Sequence, residues 1–389
     1  MPDPVKILKR LQSTKATLVN LHQIWSSSNH VAKAHNKHEA LIRPSSFLYT
    51  ELATRWALVL KNIEEQAPYG LGDTPTIQWQ QQRYHRIIDL LTSRPPPDTP
   101  ERAKQFGEWL HEFMSEHQSA LLGVGRSVNE ALDRGATPEQ MDDERTNKFF
   151  DDFYTLNMGS RLFIAEHLAL VRGDETRVVK AIDPAKVAER ASADAIRVTS
   201  AYFTSSPAPK INIFKAPKVS QTIYVEEHLH RILFEVLKHS IARTHNHHAS
   251  KASHLSRDRT LPEIRIIIAE GEQDVSIKIS DQGGGFPLST CERIWSYYHS
   301  RPPPTGNTTP SFASEINGNS PDPKTQISSF VDYAQVPYES YGHGMPIARL
   351  TSRYFGGELA GVHMEGYGSD YFYNLSRDRH IMEGLPKEH

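Results

Sequence analysis

Apolar residues recur at steps of three and four through the first half of this 389-residue chain. Phe47, Leu48, Leu52, Trp56, Leu60 and Ile63 form one such stripe, the spacing of an amphipathic helix. Residues 78–91, 102–122 and 147–170 repeat it, with Pro- and Gly-containing breaks at 67–76 and 94–100. Long amphipathic helices joined by short connections predict a helical bundle over residues 41–205. The period then changes. Ile211 and Ile213 alternate as in a strand, and a helix follows with Leu229, Ile232, Leu233, Val236, Leu237, Ser240 and Ile241 on its apolar face. Residues 264–269 and 275–279 read as two strands around a turn, and a short helix is expected near 291–298. Residues 300–339 are dense in Pro, Ser, Thr, Asn and Gly, as a lid or an inserted loop would be. A helix over 346–354 and strands over 358–364 and 370–375 complete the pattern. The expected fold is α+β: a helical bundle, then an α/β sandwich over 206–380 with helices on one face of a mixed sheet.

Composition narrows the function classes. A net charge of −2 gives no electrostatic reason to expect a nucleic acid partner. No window approaches the roughly twenty apolar residues of a spanning helix. Cys291 is the only cysteine, which rules out an intrachain disulfide and fits a reducing compartment. Between Pro4 and His38 there is no Asp or Glu, while Lys6, Lys9, Arg10, Lys15, Lys33 and Lys37 supply positive charge. Residues 1–40 therefore read as a mitochondrial presequence, or else as an ordinary basic first helix.

The candidate chemistry lies in the second half. Ser280-Asp281-Gln282-Gly283-Gly284-Gly285-Phe286-Pro287 puts one carboxylate directly before three glycines, at the end of an alternating strand. A carboxylate there can accept from an exocyclic amine such as that of adenine, and glycines let a backbone come close to a ligand. About sixty residues on, Tyr341-Gly342-His343-Gly344-Met345-Pro346 opens a helix, which offers amides and a positive dipole end to phosphates. Glu235, His239 and Ala242 fall on one face of the helix that precedes both loops. The run Thr244-His245-Asn246-His247-His248, with no cysteine nearby, reads as a solvated loop rather than a zinc site.

Polar helix residues, then strand-Asp-Gly-x-Gly, then Gly-x-Gly opening a helix, is the order of Bergerat-type ATP sites. Within that superfamily the chain resembles the mitochondrial α-keto acid dehydrogenase kinases, which act on the pyruvate and branched-chain complexes. Phe234–Lys238, Asp274–Pro287, Gly342–Phe355 with Gly357-Glu358-Leu359, and Glu365–Asp370 carry the resemblance. Asp152-Phe153-Tyr154 and Arg161–His167 extend it into the helical half, so that it covers roughly residues 45–376. It implies a protein-serine kinase of the mitochondrial matrix that uses ATP and Mg²⁺ and inactivates the dehydrogenase component. It also implies a bundle docked on a lipoyl domain, and a homodimer formed through the C-terminal sheet. Glu235 would be the general base. Lys238, His239, Asp281, Gly283, Gly285, Tyr341, Gly342, His343, Gly344, Met345 and Ser369 would line the nucleotide site, with Asp281 on the adenine amine.

Three positions depart from the family pattern. His239 stands where the family has the Asn that ligates Mg²⁺, and imidazole is a poor substitute for an oxygen ligand. Ser340 replaces the first glycine of the second box. Arg231 occupies the position one turn before Glu235 at which pyruvate dehydrogenase kinases have a histidine. His239 keeps open a catalytically impaired nucleotide-binding scaffold of the same complex; a histidine-kinase-like ATPase is a third reading, disfavoured by the motif match across the helical half.

Overall fold

The structure, a computed structural model, describes residues 4–116, 122–173, 177–203, 207–251, 260–299 and 343–386. Its helical half comprises α1 (Pro4–Gln12), α2 (Leu21–Lys33), α3 (Lys37–Ala40), α4 (Ile42–Lys61), α5 (Pro75–Thr92), α6 (Pro100–Glu116), α7 (Arg126–Asp133), α8 (Pro138–Met141) and α9 (Glu144–Arg172). The stripe read from Leu48 to Leu60 is buried on α4, against α9 and α6. Trp56 packs its ring 5.1 Å from Phe113 and 6.5 Å from Trp109, and such aromatics bury more apolar surface than any other side chain. Local chemistry sets the ends. Thr74 caps α5 by accepting from the Ile77 amide, with Pro75 in the first turn. Gly173, at φ 70°, closes α9 in the left-handed conformation that favours glycine.

The rest of the chain runs β1 (Val179–Ile182), α10 (Pro184–Ser200), β2 (Ile211–Lys215), β3 (Thr222–Val225), α11 (Glu226–Lys251), β4 (Ile264–Glu270), β5 (Asp274–Asp281), α12 (Gly344–Arg353), β6 (Glu358–Met364) and β7 (Gly368–Ser376). Among the described residues, five strands make a mixed sheet in the order β2-β4-β5-β7-β6, with β2 and β4 parallel and the other pairs antiparallel. Strict alternation along β4 and β5 puts Ile264, Ile266, Ile268, Val275, Ile277 and Ile279 in the core. They lie beneath α10 and α11. This is the α+β arrangement read from the periodicity.

Within the 1–40 segment, α2 buries Leu21, Ile24, Ser28 and Val31, and the Ser28 hydroxyl bonds Glu166 of α9. An acid-poor amphipathic stripe has the same pattern whether it is a targeting signal or a docked helix. Ahead of the expected boundary at 205 stands α10. It packs on α11 and the sheet; a 3.6-residue period does not say which core the stripe faces. Between the halves sits the unforeseen β1, paired antiparallel with β3. Glu166 anchors its start by accepting from the Val178 and Val179 amides at 2.9 and 3.1 Å. The segment expected to form a lid, 300–339, lies outside the described residues.

Candidate nucleotide site

The site is built on α11. Leu229, Ile232, Leu233, Val236, Leu237 and Ile241 are fully buried and hold the helix rigidly, which turns Glu235 and Lys238 towards α12. Glu235 is 3 % exposed, and its Oε2 lies 2.6 Å from the Lys238 ammonium in a buried ion pair. The carboxylate abuts the first residue of α12 so closely that a Cβ on Gly344 would fall 2.2 Å from Oε2. Glycine at 344 is therefore what lets a helix N-terminus and a carboxylate share this point. The His343 side chain makes no cap hydrogen bond to α12, and a helix N-terminus of this kind suits an anion.

Asp281 ends β5 as expected, and the structure shows what holds it. Its Oδ2 accepts from the Ser240 hydroxyl at 2.7 Å, and its Oδ1 accepts from the amides of Gly283 at 2.8 Å and Ser369 at 3.3 Å. Burial pushes its pKa up, and these donors oppose that shift. Ser240 had been placed on the apolar face of its helix. It is instead buried opposite the carboxylate, and only the register of β5 against α11 reveals the pairing. Ser369 lies across the β5–β7 ladder from Asp281, with its hydroxyl 2.9 Å from Nδ1 of His363.

The contacts that demand glycine at 283 and 285 come from the protein itself. A Cβ on Gly283 would meet Arg243 Cβ at 2.6 Å, and one on Gly285, at φ +58°, would meet the Met364 carbonyl at 2.3 Å. Arg243 then clasps the loop, donating to the Gly285 carbonyl at 2.7 Å with its guanidinium 4.4 Å from the Phe286 ring centre. The Tyr367 carbonyl accepts from Gly284 and the Gly284 carbonyl accepts from Gly366, which joins the Gly-rich loop to the 365–368 turn. The His-rich stretch at 244–248, read as a loop, continues α11 to Lys251. Its Thr244 and His245 are buried, and His248 bonds the Gln282 carbonyl at 3.0 Å.

Two residues of the second glycine box face inward. His343 is 1 % exposed and Met345 is 5 % exposed. His343 sits among Phe150, Tyr154 and Tyr297, its Nδ1 2.8 Å from the Tyr154 hydroxyl. Helix α9 of the bundle thus seats the turn that opens α12. Burial holds the His343 pKa down at about 3, so the ring is neutral. Tyr341 and Gly342 lie outside the described residues.

His239 stacks on Phe286 at 5.9 Å and meets the edge of Tyr371 at 6.1 Å. Burial, reinforced by Arg243, lowers its pKa to about 3. Its Nε2 is enclosed without a hydrogen-bond partner among the described residues. A neutral, aromatic-packed imidazole does not supply the hard oxygen that Mg²⁺ favours. The fit differs for the nucleotide: a buried acceptor at Asp281 and the N-terminus of α12 are complementary to an amine-bearing base and to phosphates.

A family model described as mitochondrial branched-chain alpha-ketoacid dehydrogenase kinase matches residues 18–192. Among curated proteins, a mitochondrial pyruvate dehydrogenase (acetyl-transferring) kinase of Arabidopsis thaliana is 31% identical over 356 residues, covering 89% of this chain and 88% of the plant protein. The isozyme 4 kinase of Homo sapiens is 28% identical over 354 residues, or 88% of this chain and 78% of that protein. A mitochondrial kinase of the same description from Schizosaccharomyces pombe is 31% identical over 277 residues, or 70% of this chain and 59% of that protein. The chain therefore belongs to the mitochondrial α-keto acid dehydrogenase kinase family, and with it to the ATP-dependent protein kinases.

Proposed function

We propose that this protein phosphorylates a serine on the dehydrogenase component of the mitochondrial pyruvate dehydrogenase complex in the matrix, and so inactivates it. The observation that carries this reading is the contact of the buried Glu235 carboxylate with the glycine that opens α12. It puts a base beside a helix terminus suited to phosphates. ATP supplies the γ-phosphoryl group. Glu235 accepts the proton of the attacking hydroxyl, Lys238 holds that carboxylate beside the turn, and Asp281 receives the base amine. The curated relatives are named as kinases of pyruvate dehydrogenase, which supports the pyruvate complex as substrate. The branched-chain description of the matching model, and Arg231 at the position where pyruvate dehydrogenase kinases have a histidine, favour the other complex. Incubating the purified protein and ATP with each complex, and following dehydrogenase activity, separates the two. Activity retained in both would remove the substrate assignment.

A lipoyl domain is the proposed docking partner of the helical half, by resemblance. The proposed homodimer has a further support on the sheet. Phe214 and Ile267 stand side by side on its open face, with Val362 on the same face, and all three are more than 40 % exposed. Sedimentation of the full chain as a monomer at micromolar concentration would remove the dimer.

Mg²⁺ belongs to this reading as the partner of ATP, held by phosphates and water more than by residue 239. Substituting His239→Asn restores an oxygen ligand four residues beyond Glu235 and should lower the Mg²⁺ concentration needed for half-maximal rate by about an order of magnitude, since hard cations prefer oxygen ligands. A magnesium titration in which the Asn variant is slower at every concentration would give His239 a role of its own. A wild type that transfers nothing but is revived by Asn would favour the scaffold.

A further inference from the structure

A second buried charge cluster lies at the far end of α12. Arg55 of α4 is 0 % exposed. Its Nε donates to Glu51 at 2.7 Å and its Nη2 to the Thr17 carbonyl at 2.9 Å. Its Nη1 and Nη2 fork onto the two oxygens of Glu383 at 3.0 and 2.5 Å. Glu383 belongs to the C-terminal segment 377–385 and is 3 % exposed. One of its oxygens also accepts from the Val19 amide at 3.1 Å, and the other from the hydroxyl of Tyr354, the residue that caps α12. Burial is the largest single effect and would pull the Arg55 pKa down, but the bond to Glu383 together with the electrostatic pull of Tyr354, Glu383 and Glu51 outweighs it, and the guanidinium is held charged.

The backbone fixes the same junction. Glu383 donates to the Val19 carbonyl at 2.9 Å, Gly384 to the Tyr354 carbonyl at 2.8 Å, and His22 to the Arg379 carbonyl at 3.0 Å. Helix α9 comes in so close that a Cβ on Gly159 would fall 2.0 Å from Arg55 Nη1 and 2.4 Å from the Tyr354 hydroxyl. One carboxylate therefore serves the bundle through Arg55 and the kinase domain through Tyr354. The helix that ends at Tyr354 begins at Gly344, against Glu235. Ten residues of α-helix span about 15 Å and transmit a shift at one end to the other.

We propose that Glu383 is a positioning residue for phosphoryl transfer: through Tyr354 it sets α12 against α11, so that ATP binding depends on the C-terminal segment being docked on the helical half. The inference rests on reading the Gly344 turn as the phosphate site, and the test keeps the two apart. In the full chain, Tyr354→Phe removes one hydroxyl and leaves the Arg55–Glu383 pair intact. Its KM for ATP should rise about fivefold, the scale of one lost hydrogen bond, with melting temperature nearly unchanged and faster amide exchange over residues 344–350. Glu383→Gln should raise both further and also lower the melting temperature, because Arg55 keeps its charge and loses its main counter-ion. Wild-type KM and wild-type exchange in Tyr354→Phe would overturn the proposal. So would a Glu383→Gln protein whose kcat falls only with its folded fraction at unchanged KM. If the wild type binds no ATP, the phosphate-site reading fails, while the exchange measurement still decides whether Glu383 governs α12.

Discussion

Replacing Glu235 with Gln should lower phosphoryl transfer by about a hundredfold or more, the usual contribution of a positioned base, and leave ATP affinity within a few-fold of wild type. Gln keeps the volume, so the contact with Gly344 survives, but it cannot accept the serine proton. The substitution also breaks the ion pair that Lys238 makes at 2.6 Å. Lys238 is itself buried, so some loss of thermal stability is expected alongside the kinetic loss. Rates corrected for the folded fraction separate the two effects. Equal corrected rates would take Glu235 out of the mechanism.

The second large effect is expected at Asp281. Losing a buried, charge-assisted hydrogen bond costs about 1.5–3 kcal/mol, or roughly ten- to hundredfold in nucleotide affinity. Asp281→Ala would also strand the Gly283 and Ser369 amides and the Ser240 hydroxyl, and so confound binding with folding. Asp281→Asn is the cleaner variant. Its carbonyl can keep accepting from the two amides while its amide nitrogen replaces the second acceptor oxygen. Calorimetric titration of Asp281→Asn should show at least a tenfold weaker interaction with ADP at a near-normal melting temperature. Unchanged affinity would move the base elsewhere.

Much of this was legible because the signals were local. The alternation of β4 and β5, the apolar stripe of α11 and the carboxylate at a strand end each occupy one short window of sequence. What escaped depends on distance along the chain. β1 has four residues, too few for a period, and its partner β3 lies about forty residues on. Ser240 looked like a small residue on an apolar face until β5 brought Asp281 opposite it. The polar run from Thr244 resembled a loop because its histidines are hydrophilic, yet two of its residues are buried where α11 passes under Phe203, whose ring lies 4.2 Å from that of His245. Glu383 carries no local signature at all. Its partners are Arg55, Val19 and Tyr354, and nothing in residues 377–385 announces a buried anion. The glycines illustrate the converse. Gly283 and Gly285 are recognisable as positions of close approach, but only the folded chain shows that Arg243 and Met364 do the approaching.

The most direct measurement is residue-level mass spectrometry of the dehydrogenase component of the pyruvate complex, after incubation with ATP, Mg²⁺ and either wild-type protein or Glu235→Gln. Expected are phosphoserine with the wild type, at least a hundredfold slower accumulation with the variant, and ADP affinities within a few-fold of each other. Phosphoserine formed equally by both, or by neither while both bind ADP, would contradict it.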